Sequence, residues 1–92
     1  MTIITLHEAR DILRLDDKDN DGIIYPLLNA MPDYLEVTTG YKADNGGYSP
    51  LAVNLAGFLL QLWYNADGTD TVKLQRTIDN LLTALSVSVG GA

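Results

Sequence analysis

The chain has no cysteine among its 92 residues, so it can form neither a disulfide framework nor a thiolate metal site. Such a chain suits a reducing cytosol. Its single histidine, His7, has no obvious carboxylate cluster around it that would complete a set of metal ligands. We therefore expect His7 to be an exposed helix residue, and we expect no bound cofactor.

Basic residues are scarce, since six lysines and arginines stand against twelve aspartates and glutamates, for a formal charge of −6. Nucleic-acid binding depends on lysine and arginine displacing counterions from phosphates, so this balance argues against it. Residues 1–5 lack the basic segment and the long apolar run of a signal peptide. The longest apolar stretch, Leu51 to Tyr64, falls short of the ~20 residues that span a bilayer, so it predicts a buried core helix and no membrane span.

Sequence motifs of enzymes are missing as well. Ser49 is not part of a nucleophile elbow and has no histidine and aspartate at the spacing of a catalytic triad. The pairs Gly46-Gly47 and Gly90-Gly91 do not lie in the strand–turn–helix pattern of a phosphate-binding loop. We therefore expect a protein without enzymatic activity, folded as one domain over residues 1–92.

An acidic run over residues 17–24 reproduces the first eight positions of an EF-hand calcium loop. The bidentate glutamate of position 12 is replaced by Leu28, so any calcium affinity should be weak. One hypothesis is a degenerate calcium-binding helix–loop–helix, and the favoured one is a solvated link whose aspartates suit the positive start of the next helix. The calcium ligands under the first hypothesis would be Asp17, Asp19, Asp21 and Ile23.

The spacing of apolar residues predicts a first helix that begins at a capping box formed by Thr5 and Glu8 and ends near Leu15. Its apolar side includes Leu6, Ala9 and Leu13, and Ile12 lies at the edge of this side. We expect the charged residues of this helix to face solvent. They are Glu8, Arg10, Asp11 and Arg14.

A second helix is predicted from Asp21 or Gly22 to Thr39, before the stop at Gly40. Pro26 and Pro32 each remove an amide donor, so we expect a late start, a kink or a split near Met31. The apolar face of this helix is predicted to comprise Ile23, Ile24, Leu27, Leu28, Met31, Tyr34 and Leu35.

The chain from Tyr41 to Tyr48 has turn residues and no apolar period, which predicts a mobile loop. A third, almost wholly apolar helix should begin at Ser49-Pro50 and run to about Asn65. A fourth should begin at Asp70 or Thr71 with a stripe of leucines and Ile78. The alternating tail, residues 86–92, is expected to resemble a short strand and then fray.

Large aromatic residues are candidates for an interface, because side chains with an apolar body and a polar tip are enriched where proteins meet. The favoured alternative places Trp63 and Tyr64 in the core and Tyr41 and Tyr48 in solvent. An almost wholly apolar third helix exceeds what three others easily cover, so we expect self-association. The interface candidates are Tyr41, Tyr48, Phe58, Trp63 and Tyr64.

Three segments in order resemble the small head–tail connector, or adaptor, proteins of tailed bacteriophages and prophages, which are often labelled DNA-packaging proteins. Thr5 to Asp16 is similar to the opening helix of that family, which ends in Leu-Arg-Ile/Leu-Asp before an acidic loop. Ala30 to Gly40 is similar to its second helix and stop, and Pro50 to Asn65 to its apolar third helix. The chain differs in having Tyr41 after Thr-Gly, where a basic residue is frequent, and Pro32 within a helix. The part after Asp70 matches loosely.

The resemblance implies a structural virion protein and no reaction. Many copies would form a ring, dodecameric on the portal protein, that extends the DNA channel and offers a platform to the next neck or tail-completion protein. DNA would pass through without specific binding, and the protein would occupy the virion neck after assembly in the host cytoplasm. An acidic channel wall suits that role because it does not attract phosphates.

The sequence thus predicts an all-α bundle of about four helices, with a loop between the second and third, that works as a ring-forming connector. Two other functions remain open. One is the calcium-binding helix–loop–helix with a degenerate loop at residues 17–28. The other is a small helical interaction protein without phage ancestry.

Overall fold

The computed structural model describes residues 2–43, 47–64 and 71–90. These residues form four α-helices and no strand, which confirms the predicted all-α bundle and its loop between the second and third helices. Helix α3 packs most extensively against α4, α2 packs on both, and α1 packs on α2 and α3 without reaching α4. The helices are α1 (Leu6–Leu13), α2 (Asp21–Thr39), α3 (Pro50–Tyr64) and α4 (Thr71–Gly90).

Local side-chain caps fix where α1 and α3 begin, as the sequence predicts. The Thr5 hydroxyl accepts from the Glu8 backbone N–H at 3.1 Å, and the Thr5 N–H donates to the Glu8 carboxylate at 2.9 Å. Ser49 caps α3 by accepting from the Ala52 N–H at 3.2 Å, and Pro50 is the first helical residue. Helix α1 ends at Leu13, slightly before the predicted Leu15.

The end of α1 and the end of α2 both use left-handed backbone. Arg14 has a φ of 59° and donates its N–H back into α1, which stops the helix there. Gly40 has a φ of 80° and donates to the Glu36 carbonyl at 2.8 Å, which satisfies one of the last carbonyls of α2. Gly40 suits its position because only glycine adopts this conformation without strain.

Helix α2 is continuous from Asp21 to Thr39, although Pro26 and Pro32 lie inside it. The predicted late start and split near Met31 are therefore wrong. Each proline lacks the amide that would bond the carbonyl four residues earlier. Burial of one face offsets this loss, because four apolar side chains of α2 are almost wholly removed from water. They are Ile24, Leu28, Met31 and Leu35.

Ile23 does not belong to the buried face of α2, contrary to the sequence prediction, and its side chain is 60% exposed. The helical phase explains the difference, since Ile23 and Ile24 are adjacent in sequence and point about 100° apart around the axis. Ile24 is in register with Leu28 and Met31, so it takes the core position. Ile23 is left in solvent beside the interhelical link.

Helix α3 is the centre of the bundle, as its apolar composition predicts. Its buried residues meet Ile78 and Leu85 of α4 in a common core. They are Ala52, Leu55, Ala56, Leu59 and Leu60. No described helix is both long and apolar enough to cross a membrane.

The tail prediction is wrong up to Gly90, because residues 86–90 continue α4 instead of forming a strand-like segment. The buried side of α4, which includes Ile78 and Leu85, continues toward Val89. The Cγ1 atom of Val89 lies 3.7 Å from the position that a Cβ would take on Gly40. The carboxyl end of α4 therefore packs beside the end of α2. Residues 91–92 lie outside the described residues, as do residues 44–46 of the predicted loop and Asn65, the predicted end of the third helix.

Candidate interaction surface

Arg10 and Asp21 form an ion pair that joins α1 to the first turn of α2. The Arg10 Nε donates to Asp21 Oδ1 at 3.0 Å, and Nη2 donates to Oδ2 at 2.9 Å. The two side chains are only 18% and 24% exposed, so the prediction that Arg10 faces solvent is wrong. The bidentate hydrogen bond lowers the pKa of Asp21 and raises that of Arg10, because it stabilises the charged form of each group.

The residues of the suspected calcium loop have other partners. Asp17 Oδ1 accepts from the Asp19 N–H at 3.1 Å, which is a local turn contact, and both oxygens of Asp21 bind Arg10. Ile23 lies in the first turn of α2. Within residues 2–43, 47–64 and 71–90, no group of three or more histidine, aspartate or glutamate side chains converges as a metal site would require. The acidic run therefore has the contacts of a link between α1 and α2.

His7 lies on the exposed side of α1, where the sequence places it. Its Nε2 is 3.5 Å from Asp11 Oδ2 one turn later, and both side chains are largely in solvent. An exposed pair of this kind at the i, i+4 spacing contributes little to stability.

The five aromatic interface candidates are half-buried and pack against the core. The prediction that Tyr41 and Tyr48 face solvent is therefore wrong. The Tyr41 hydroxyl accepts from the Ser49 N–H at 2.7 Å, and the Tyr41 and Tyr48 ring centroids lie 6.5 Å apart. Trp63 packs edge-on against Tyr34, at 5.3 Å between centroids and 90° between planes. These contacts are intramolecular, and they hold the loop and the end of α3 on α2.

Tyr41 and Tyr48 also line a cavity of about 130 Å³ with Ile3, Pro32 and Leu35. At its rim, Lys42 Nζ lies 3.2 Å from Glu36 Oε1 in an exposed ion pair. The walls are mostly apolar, so the cavity has the character of an incompletely filled core.

A second depression, which we call the α1–α3 groove, runs between these helices and has a volume of about 240 Å³. Gly57 lies where α3 faces α1, and a Cβ there would lie 3.6 Å from Ile12 Cδ1, at ordinary van der Waals distance. Of the five aromatic candidates, Phe58 is the one that lines this groove. Its apolar walls are Ile4, Ile12, Val53 and Phe58, and its polar rim is Glu8, Asn54 and Gln61.

Helix α4 exposes an apolar feature that was not anticipated from the sequence. Val72 and Val87 are 73% and 66% exposed, and they lie on the side of the helix opposite to the buried Ile78 and Leu85. The helical period could have revealed this, because these exposed positions form a second stripe about half a turn away from the leucines. We call this stripe the α4 outer face; it comprises Val72, Arg76, Asn80, Thr83 and Val87.

The geometry therefore presents two unlike surfaces, the α1–α3 groove and the α4 outer face, and α2 and α3 separate them. No family model matches this sequence, and comparison with curated proteins and with solved structures gives no match.

Proposed function

We propose that this protein is a head–tail connector of a tailed bacteriophage or prophage, a structural virion protein that assembles as a ring on the portal protein. The observation that carries the proposal is the order of the three segments that resemble the connector family. They correspond to α1 with the link after it, to the end of α2, and to α3. The caps at Thr5 and Ser49 and the stop at Gly40 support the proposal because they place helix boundaries at ends of these segments.

The surface of the protein suits an assembly role. Large aliphatic side chains on α4 lie in water, among them Val72 and Val87. Exposed apolar groups of this kind are covered when copies of a protein associate. The α1–α3 groove offers apolar walls with a polar rim, which is the usual composition of a protein interface.

The charge of the protein suits a channel through which DNA slides. The formal charge is −6, and of the six basic side chains Arg10 is engaged by Asp21. Clusters of lysine and arginine bind phosphates, so a channel wall built from this protein would not bind DNA tightly. In this proposal DNA passes through the ring without specific binding.

The partners follow from the same role. Copies of this chain form a dodecameric ring, one side contacts the portal protein, and the other side receives the next neck or tail-completion protein. The protein would be found in the virion neck, after assembly in the cytoplasm of the bacterial host.

Co-expression with the portal protein encoded nearest to this gene tests the proposal. The expected result is co-purification of the two proteins and, by electron microscopy, a ring of added density on one side of the portal. A portal protein from an unrelated phage serves as the specificity control. Failure to co-purify, together with no portal or capsid gene in the neighbourhood, would contradict the connector function.

A further inference from the structure

We infer that the α4 outer face of one copy docks into the α1–α3 groove of the next copy, and that this contact, repeated around an axis, builds the ring. The inference depends on the proposed connector function for its biological setting. The occupant of the groove is therefore a second copy of this chain, and the contact is heterologous, joining two different surfaces.

Apolar chemistry supports this pairing. The α4 outer face has a valine near each end and the uncharged side chains of Asn80 and Thr83 between them. Apart from Arg76, the side chains of this face are small or medium in size, so the helix can approach a groove closely. The groove offers Ile12, Val53 and Phe58 as apolar walls for such a helix. Val72 and Val87 are fifteen residues apart, a little over four turns, so they lie on the same side of α4.

Charge complementarity gives the second argument. The α4 outer face carries Arg76 and is flanked by the exposed Lys73 and Asp79, so basic charge exceeds acidic charge there, whereas the groove rim carries Glu8 and no basic residue. Asp11, one turn from His7 on α1, adds exposed negative charge to the same helix. A cation on the incoming helix and carboxylates beside the groove favour this pairing over a contact between two acidic surfaces.

The position of the two surfaces gives the third argument. Helices α1 and α4 do not touch each other, and both pack on α2 and α3. A copy docked through its α4 therefore keeps its own groove free for another copy. Contacts between two different surfaces propagate in this way and close into a ring when the rotation per copy allows it.

Aspartate substitutions on exposed valines test the inference. The α4 variant is Val72→Asp with Val87→Asp, and the groove variant is Val53→Asp. The matched control is Val37→Asp, because Val37 is 84% exposed on α2 and belongs to neither the α1–α3 groove nor the α4 outer face. Circular dichroism should show all three variants folded, since substitutions at exposed positions have small effects on stability. Sedimentation velocity at high protein concentration then measures association.

The wild type and the Val37 control should associate as concentration rises, whereas the α4 variant and the groove variant should each stay monomeric. A mixture of these two variants should form a one-to-one complex and nothing larger, because only one intact groove and one intact α4 face can meet. Two milder variants probe the charges, and Glu8→Gln retains a side chain that can complete the capping box. Glu8→Gln and Arg76→Gln should each weaken association about two- to five-fold, with no further loss when combined.

Three results would overturn the inference. One is a wild type that stays monomeric at every concentration. Another is loss of association in the α4 variant with none in the groove variant, which would indicate a two-fold contact between α4 helices. A third is a mixture of the two variants that fails to form the complex. Co-purification with the portal protein is measured separately, so a connector that uses some other contact between copies would still be recognised.

Discussion

Arg10 on α1 donates two hydrogen bonds, of 3.0 and 2.9 Å, to Asp21 on α2, eleven residues later in the sequence. The pair joins the two ends of the acidic link, so it fixes the orientation of α1 relative to the first turn of α2. Its forked geometry matters because it fixes orientation as well as distance. Within residues 2–43, 47–64 and 71–90, these two are the side-chain hydrogen bonds that join α1 to another helix.

Removing either member of the pair should therefore lower stability. Arg10→Met keeps much of the aliphatic stem and leaves Asp21 without its partner, while Asp21→Asn removes the charge. Both should lower the melting temperature, and the double variant should lower it by less than the two single effects combined. Arg14→Met is the matched control, because Arg14 is exposed on the same segment. Equal effects of Arg10→Met and Arg14→Met would show that the pair is unimportant.

Acid should weaken the fold through Asp21 and Glu8. The hydrogen bond from Arg10 lowers the pKa of Asp21, and the backbone hydrogen bond from Thr5 lowers the pKa of Glu8. A lowered pKa in the folded state contributes stability above the unfolded value of about 4, and this contribution is lost as pH falls through the folded value. Thermal melts should therefore show a decline below about pH 4.

The variant Asp21→Asn provides the control for that pH dependence. Its melting temperature should already be lower at neutral pH and should fall less steeply on acidification, because the ion pair is absent at every pH. Identical slopes for the wild type and the variant would assign the acid sensitivity to other carboxylates.

Calcium should have no effect on the protein. Both carboxylate oxygens of Asp21 bind Arg10, Asp17 accepts from the Asp19 N–H, and Leu28 is buried in the core where the loop pattern requires a glutamate. Calorimetry with calcium should give no heat of binding, and the melting temperature should not change. A calcium-dependent rise in melting temperature that Asp19→Asn abolishes would revive the calcium-binding hypothesis.

Local signals in the sequence predict the fold well, and contacts between distant residues account for what they miss. The capping box at Thr5 and the start at Ser49-Pro50 are found as expected, because each depends on side chains within three residues of the helix start. The Arg10–Asp21 pair has no local signature, so Arg10 was expected in solvent. Ile23 was misplaced because adjacent isoleucines do not show which of them is in register with the core.

The surfaces of the protein could be predicted less fully. Aromatic composition predicts an interface that includes Tyr41 and Tyr48; both rings are half-buried against their own chain, and their place in an interface stays a prediction. The helical period places the residues of the α4 outer face opposite the buried leucines, but it does not show whether another helix covers that side. The α1–α3 groove depends on how two separate helices pack, which a pattern along one helix does not reveal.

Two glycines at the ends of α2 should respond in opposite ways to alanine. Gly22 lies in the first turn with ordinary backbone and no neighbour near its missing Cβ, so Gly22→Ala should stabilise the protein by up to about 1 kcal/mol. Gly40 has a φ of 80°, so Gly40→Ala should cost about 1 to 2 kcal/mol. Urea denaturation of the two variants measures both values. A neutral Gly40→Ala would mean that the end of α2 relaxes.

The two prolines in α2 have a consequence for how the chain folds. A helix that lacks two of its internal amide donors gains little from its own backbone, and helix nucleation is already unfavourable in short segments. Helix α2 is thus stabilised by the burial of four side chains in the core that it shares with α3 and α4. They are Ile24, Leu28, Met31 and Leu35. Helix α2, which connects α1 to α3, therefore becomes ordered when the bundle collapses. Folding of this small protein is then a single cooperative event instead of a docking of preformed helices.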